Sequence, residues 1–169
     1  MDTQHNKDDF LQLIEHNKGI IFKICHSYCP NKNDREDLAQ EIVYQLWKSG
    51  HSFNASHKFS TWMYRIALNV AISFYRKEQR TSNTIAFTEI FMDVEDKADG
   101  NLETEANIHL LQQFINELKE LDRALMILYL ESKSYAEIAE ILGITETNVA
   151  TKINRIKEKL KEKFLTHNS

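Results

Sequence analysis

The 169-residue sequence predicts an all-α fold of two small helical domains joined by an acidic linker, the second domain containing a helix-turn-helix. A single proline and 4 glycines leave too few turn-forming residues for a β-sandwich or barrel. Hydrophobic residues make up 42% of the chain, yet no apolar run approaches the roughly 20 residues of a membrane span. The polar start does not resemble a secretory signal, so we expect a cytoplasmic protein with no membrane insertion.

Charge and periodicity divide the chain into a first domain over residues 1–80, an acidic linker over 81–105 and a second domain over 106–169. The net charge is −4, but residues 81–120 alone hold 9 acidic and 2 basic side chains, whereas both flanking segments are mildly basic. Basic ends are a weak sign of nucleic-acid contact. A solvated connection between two ordinary domains explains the acidic middle equally well.

Three amphipathic helices are predicted in the first domain, enough for one small bundle. The first stops at residues 29–31, and its apolar row consists of Phe10, Ile14, Ile21, Ile24 and Tyr28. The second begins with a capping box of Asn33 and Glu36, ends near Gly50, and buries Leu38, Ile42 and Leu46. The third begins at Ser60 or Thr61, ends near Arg80, and has on its buried side Trp62, Ile66, Val70 and Phe74.

Cys25 and Cys29 lie four residues apart in the first predicted helix. This spacing favours two reduced, buried thiols over a disulfide. No second pair of ligands with finger-like spacing accompanies them, so the sequence does not favour a zinc site. We expect no metal and no small-molecule cofactor.

Residues 134–160 of the second domain predict a helix-turn-helix. Ile138 and Leu142 face the core, and Gly143 ends the first helix because its position needs a residue that tolerates positive φ. Thr145 caps the second helix. This helix turns inward Val149, Ile153, Ile156 and Leu160, and leaves outside Thr147, Asn148, Thr151, Lys152, Asn154, Arg155 and Lys157. An ordinary helical hairpin with a solvated face is the alternative.

Two polar surfaces have the chemistry of DNA contact. On the helix-turn-helix, threonine and asparagine can read base edges while lysine and arginine hold phosphates. On the third helix, a partly basic stripe contains Thr61, Arg65, Asn69, Ser73, Arg76 and Arg80. Phe59, preceded by Lys58, is a candidate for stacking on single-stranded bases, whereas Trp62 is expected in the core. Core packing is an alternative explanation for the aromatic residues beside this stripe.

The second helix presents a different outer face, formed by Asp37, Gln40, Glu41, Tyr44, Gln45 and Lys48. Its acidic residues would repel DNA, and its polar and aromatic side chains suit a protein partner. A solvated capping region is the alternative. No nucleophile, glycine-rich loop or ligand histidine accompanies Asp37 and Glu41, so we expect no enzymatic activity.

Three segments together resemble a known family: DREDLAQEIVYQLWK at 34–48, KFSTWMYRIALNVAISFYRKEQR at 58–80, and the helix-turn-helix at 134–160. They are similar, in this order, to bacterial sigma factors of the sigma-70 family. Two such domains with a short acidic linker resemble the extracytoplasmic-function (ECF) group. The resemblance covers nearly the whole chain.

The resemblance implies a promoter-specificity subunit of core RNA polymerase. The first domain would then bind the clamp helices of the largest polymerase subunit through Asp37, Leu38, Gln40, Glu41, Tyr44 and Trp47. The polymerase flap is a further contact that the resemblance implies for the protein. The minus-ten promoter element, where the family captures flipped non-template bases, would contact Lys58, Phe59, Arg65, Asn69, Arg76 and Arg80. The minus-thirty-five element would contact Thr147, Thr151, Lys152, Asn154, Arg155 and Lys157.

Some positions depart from the family pattern. Leu68 and Ser73 stand where relatives usually have a basic and an acidic residue, and Ala150 and Asn154 stand where basic or larger residues are common. An anti-sigma factor is a candidate further partner, because family members commonly have one that covers both domains. The alternative functions are an autonomous helix-turn-helix regulator that binds operator DNA as a dimer, and a structural helical adaptor.

Overall fold

The structure is a computed structural model that describes residues 2–54, 56–81 and 102–168. Contacts within the chain group it into unit 1, residues 1–83, and unit 2, residues 84–169. Every element of regular secondary structure in the described ranges is a helix, so the predicted all-α class is confirmed. Most of the predicted linker, residues 82–101, lies outside the described residues, and the first helix of unit 2 begins at Leu102, within the segment predicted as linker.

Unit 1 contains α1 (Asp2–His16), α2 (Lys18–Tyr28), α3 (Lys32–Ser49), a 3-10 turn (Gly50–Ser52) and α4 (Phe59–Thr81). Unit 2 contains α5 (Leu102–Asn116), α6 (Glu120–Leu130), α7 (Tyr135–Leu142) and α8 (Glu146–His167). No described helix has the length and apolar character that crossing a membrane requires.

The first predicted helix is two helices, α1 and α2, separated at Asn17. The Asn17 backbone leaves helical geometry (φ −110°, ψ 16°), and its side-chain Nδ2 donates to the Leu13 carbonyl at 2.8 Å. This bond adds a second donor to a carbonyl at the end of α1, where asparagine side chains commonly bond to nearby backbone groups. The apolar spacing runs on across the break, from Ile14 to Ile21, and for that reason the pattern alone predicted one helix.

The start of α3 also differs from the prediction. Asn31, not Asn33, is the N-cap, and its side-chain oxygen accepts a hydrogen bond from the backbone N–H of Asp34 at 3.0 Å. The asparagine before the first helical residue satisfies one of the helix's otherwise unbonded N–H groups. The predicted buried row of α3 is confirmed, because Leu38, Ile42 and Leu46 are 0% exposed.

The buried face of α4 is rotated from the predicted one. The core side chains are Thr61, Met63, Tyr64, Ala67, Leu68 and Ala71, whereas the predicted row of Trp62, Ile66, Val70 and Phe74 is half-buried. The helix packs against both α2 and α3, so its buried face is wide and centred between them. Ala67 and Ala71 allow this close approach because they lack bulk beyond Cβ.

The helix-turn-helix of unit 2 has the predicted local geometry. Gly143 adopts φ 70° at the end of α7, and the Thr145 hydroxyl accepts from the Asn148 backbone N–H at 3.1 Å. Ser134 caps α7 in the same way, accepting from the Glu137 N–H at 3.1 Å. On α7 the second core residue is Ile141, 2% exposed, instead of the predicted Leu142, because Ile141 lies three residues after the buried Ile138 and shares its helix face.

Arg123 joins α5 to α6 from inside unit 2. It is 3% exposed, and its Nη2 donates to the carbonyl oxygens of Asn116 at 2.5 Å and Leu118 at 3.0 Å. These carbonyls belong to the end of α5 and the turn after it, where a helix leaves acceptors without intrahelical partners. At the other side of α5, Phe114 packs edge-on against Phe164 of α8, with ring centroids 5.1 Å apart.

Gly143→Ala tests the positive-φ turn. No atom lies within 4 Å of the position that an added Cβ would take, so only backbone strain should act, lowering the free energy of unfolding of unit 2 by about 1 kcal/mol. Urea unfolding followed by circular dichroism reports on the helices of both units and should show this loss of stability. Tryptophan fluorescence should not show it, because both tryptophans lie in unit 1. The control is Gly19→Ala in α2, which also has open space but no positive φ and should not be destabilising. An unchanged dichroism midpoint for Gly143→Ala would contradict this account.

Cys25 and Cys29 are free thiols buried in the core, as predicted. Burial raises the pKa of Cys25 to about 11 and, together with the neighbouring Cys25 thiol and acidic side chains, that of Cys29 to about 12. The unfolded thiols ionise near pH 9, so the native state loses relative stability as the pH rises from that value through 11 and 12. We expect iodoacetamide at pH 8 to alkylate the native protein far more slowly than the urea-unfolded chain. Equal rates would contradict the burial of these thiols.

Candidate nucleic-acid and polymerase interfaces

The outer face of α8 is a polar surface held in position by its buried row. Val149, Ile153 and Ile156 are at most 2% exposed. A helix has 3.6 residues per turn, so this burial directs the opposite side chains to solvent. As predicted, the exposed set includes Thr147, Thr151, Asn154 and Arg155, whereas Lys152 is half-buried.

Basic side chains line a cleft of about 350 Å³ between the start of α6 and α8. Its cations are Lys119, Lys152, Arg155 and Lys159, and its acidic members are Glu120 and Asp122. Sequence reasoning did not identify Lys119 and Lys159 as neighbours of the outer face of α8. No local pattern could have found Lys119, because its place beside α8 depends on how α6 packs.

Lys157 is directed away from the centre of the α8 face. Its Nζ lies 4.3 Å from the centroid of the Tyr129 ring, and a hydrogen bond with Tyr129 raises the pKa of the Lys157 amine. This amine therefore lies at the edge of the outer face of α8, beside Tyr129.

On α4, most residues of the predicted polar stripe are exposed, and one of them is buried. Arg65, Asn69, Ser73 and Arg76 are exposed at successive turns of the helix. Thr61 is 8% exposed and belongs to the core side instead. Arg80 lies within α4, but its side chain is outside the described ones.

An aromatic cluster lies where α4 begins, and we define it as Phe10, Trp47, Phe53, Phe59 and Trp62. The Phe59 ring is 5.2 Å from that of Phe53 and 5.5 Å from that of Trp62, centroid to centroid. Phe59 and Trp62 are both half-buried, so each packs against neighbours and remains partly exposed to solvent. Lys58, beside them, is exposed, and its carbonyl accepts from the Trp62 N–H at 3.3 Å. Sequence reasoning identified Phe59 but not the cluster that holds it.

The outer face of α3 combines acidic and large apolar side chains. Asp37, Gln40 and Glu41 are exposed. Tyr44 is 56%, Trp47 43% and Val43 40% exposed, so three large side chains lie on the same helix as the acidic ones. A mixed face of this kind is typical of protein-binding surfaces. Leu38 does not belong to it, because its side chain is 0% exposed and lies in the core of unit 1.

No metal centre is found in the described ranges, where no three His, Cys, Asp or Glu side chains are grouped to hold an ion. The predicted site residues that the structure exposes lie on three helices: on α3, on the start and outer stripe of α4, and on α8.

Comparisons with known proteins show which family this chain belongs to. Residues 13–81 match the sigma-70 region 2 family, and residues 108–160 match the sigma-70 region 4 family. Over 169 residues, covering 94% of this chain and 90% of that protein, the chain is 33% identical to the ECF RNA polymerase sigma factor SigW of Bacillus subtilis. This chain belongs to the ECF group of the sigma-70 family. The identification predicted from the three sequence segments is confirmed, and it disfavours an autonomous operator-binding regulator.

Other relatives agree with this ECF sigma factor in length and fold. It is 26% identical to the ECF RNA polymerase sigma-E factor of Haemophilus influenzae, with 95% of this chain and 90% of that protein covered. Among solved structures, the sigma factor RpoE of Bartonella quintana, in complex with the anti-sigma factor NepR, matches with a TM-score of 0.70 and 21% identity over 91% of this chain and 95% of that one. CnrH, in complex with the cytosolic domain of CnrY, matches with a TM-score of 0.66 and 19% identity over 95% and 89% of the two chains. These structural likenesses concern the fold.

Proposed function

We propose that this ECF sigma factor binds core RNA polymerase through the outer face of α3, the minus-ten element through α4, and the minus-thirty-five element through α8. The observation that carries the proposal is the exposure of all three faces in the two segments that match sigma regions 2 and 4. Its working place is proposed to be the cytoplasm, as a factor without catalytic activity of its own.

The α3 face has the composition of a partner-binding surface. Tyr44 and Trp47 supply large, rigid contact areas, and such side chains commonly dominate binding energy. Asp37 and Glu41 surround them with negative charge, which favours a basic partner surface and disfavours DNA. We assign this face to the polymerase clamp helices.

The start of α4 suits unpaired bases. Phe59 offers a partly exposed ring, and one stacked base is worth about 1–3 kcal/mol. Arg65 and Asn69 continue along the same helix and provide hydrogen-bond donors for the displaced strand. We assign this surface to the non-template strand of the minus-ten element.

The α8 face suits a duplex. Thr147, Thr151 and Asn154 are short hydrogen-bonding side chains suited to base edges in the major groove. Lys152 and Arg155 line the basic cleft beside them, where backbone phosphates would be held. We assign this surface to the minus-thirty-five element.

The chain should bind free DNA weakly. With a net charge of −4, it neutralises few phosphates, so few counterions are released on binding. Polymerase would supply the missing affinity. An anti-sigma factor that covers the α3 face or the DNA surfaces is a further proposed partner. The structurally similar RpoE, which is bound by the anti-sigma factor NepR, supports this proposal.

The decisive experiment is a titration of the labelled full-length protein with core RNA polymerase of Bacillus subtilis, read by fluorescence anisotropy and repeated with random-sequence duplex DNA alone. Transcription from the same random pool, with sequencing of the enriched templates, would then define the promoter. Binding to polymerase with only weak binding to free DNA, and enrichment of two elements, are the expected results. Strong binding to DNA without affinity for polymerase would contradict the proposal.

Asp37→Arg tests the polymerase contact. Reversal of one charge on the α3 face should weaken binding to core polymerase by about tenfold or more, since like charges then face each other. Asp37 is exposed, so the helicity of the protein should not change. The matched control is Asp9→Arg on α1, also exposed, which should leave the affinity near that of the wild type. Equal affinities for all three proteins would refute the contact.

Arg155→Ala tests the α8 face. The polymerase complex should lose about 1–3 kcal/mol of discrimination between the enriched promoter and a version altered in its minus-thirty-five element. Lys161→Ala removes one exposed positive charge farther along α8 and is the control. Unchanged discrimination by Arg155→Ala, measured as the ratio of transcripts from the two templates, would count against this assignment.

A further inference from the structure

We propose that Phe10 of α1 is a positioning residue for the minus-ten surface, because its ring joins the polymerase-facing side of α3 to the start of α4. The proposal rests on the function proposed above for α3 and α4. Phe10 itself is assigned no contact with polymerase or DNA.

The first observation is the geometry of the rings. The centroid of the Phe10 ring lies 6.1 Å from that of Trp47, 5.9 Å from that of Phe59 and 5.8 Å from that of Trp62. The interplanar angles of 52°, 82° and 70° are the tilted and edge-on arrangements that aromatic pairs prefer. Among the described ring contacts, Phe10 alone connects Trp47 to the rings of α4.

The second observation is independent and concerns Gly50, which follows α3 directly. A Cβ at Gly50 would lie 3.0 Å from Phe10 Cζ and 3.1 Å from Cε1. The Gly50 backbone has φ −56° and ψ −32°, which any residue adopts, so its conformation does not require glycine. An added Cβ would instead press against the Phe10 ring, which would have to shift by a few tenths of an ångström.

The third observation is the location of the aromatic cluster. Leu38, Ile42 and Leu46 of the unit 1 core are 0% exposed, whereas Phe10, Phe59 and Trp62 are half-buried and Trp47 is 43% exposed. The cluster therefore lies at the surface, between the two faces assigned to partners. A change at Trp47 can reach Phe59 through a single ring.

The test compares Phe10→Ala, Gly50→Ala and their combination in the full-length protein. Ile14→Ala is the matched control: it removes a buried side chain, 7% exposed, from the same helix but from outside the aromatic cluster. Open complexes resistant to heparin are counted on the promoter enriched from the random pool, with polymerase saturated by each variant so that weaker assembly does not contribute.

Phe10→Ala and Gly50→Ala should each lower open-complex formation by about two- to tenfold, the factor expected for one or two ring contacts. Gly50→Ala should have no further effect in the Phe10→Ala chain, because no ring is left to displace. The chain has 2 tryptophans, both against Phe10, so the emission of the free protein should change in Phe10→Ala and Gly50→Ala and not in Ile14→Ala.

The proposal is overturned if the variants at positions 10 and 50 form open complexes as Ile14→Ala does, or if their effects simply add. In that case the assignment of the α3 and α4 faces is unaffected. Failure of the wild-type protein to bind polymerase would instead remove the proposed function, and the proposal about Phe10 with it.

Discussion

Burial of one row of side chains in each helix determines which residues the opposite side presents. In α8, Val149, Ile153 and Ile156 are at most 2% exposed, and in α3 the equivalent residues are fully buried. Each such side chain contributes about 1.5–3 kcal/mol when removed from water. Rotation of either helix about its axis would expose several of them at once, which a few surface contacts with a partner could not offset. The two faces are therefore set before any partner binds.

The face of α8 could be predicted from the sequence, and that of α4 could not. The start of α8 depends on local signals, Gly143 and Thr145, and its apolar spacing repeats clearly for three turns. By contrast, α4 packs on two helices, and part of its core surface is made by Ala67 and Ala71, which carry little hydrophobic signal. The larger Ile66 and Val70 beside them led to the prediction of a different buried face, and the structure shows that face to be only half-buried.

The candidate surfaces were predictable as sets of exposed polar residues but not as assemblies. Leu38 matched a family motif and yet is fully buried, because its motif position coincides with the core row of α3. The aromatic cluster joins residues from α1, α3, the segment after the 3-10 turn and α4, far apart in the chain. The contacts of Arg123 and the place of Lys119 beside α8 likewise depend on tertiary packing, which the spacing of residues along the chain does not predict.

The two units differ in the chemistry they offer to nucleic acid. Unit 1 presents aromatic rings beside exposed Arg65 and Lys58, suited to separated strands, whereas α8 presents short hydroxyl and amide groups beside a basic cleft, suited to a closed duplex. Stacking requires bases that are already unstacked, and hydrogen bonds to base edges do not. Under the proposed function, the α8 contacts can therefore form on intact DNA, and those of α4 become available only as the duplex opens. Under the same proposal, the net charge of −4 weakens both contacts when the protein is alone, so that their use would depend on polymerase.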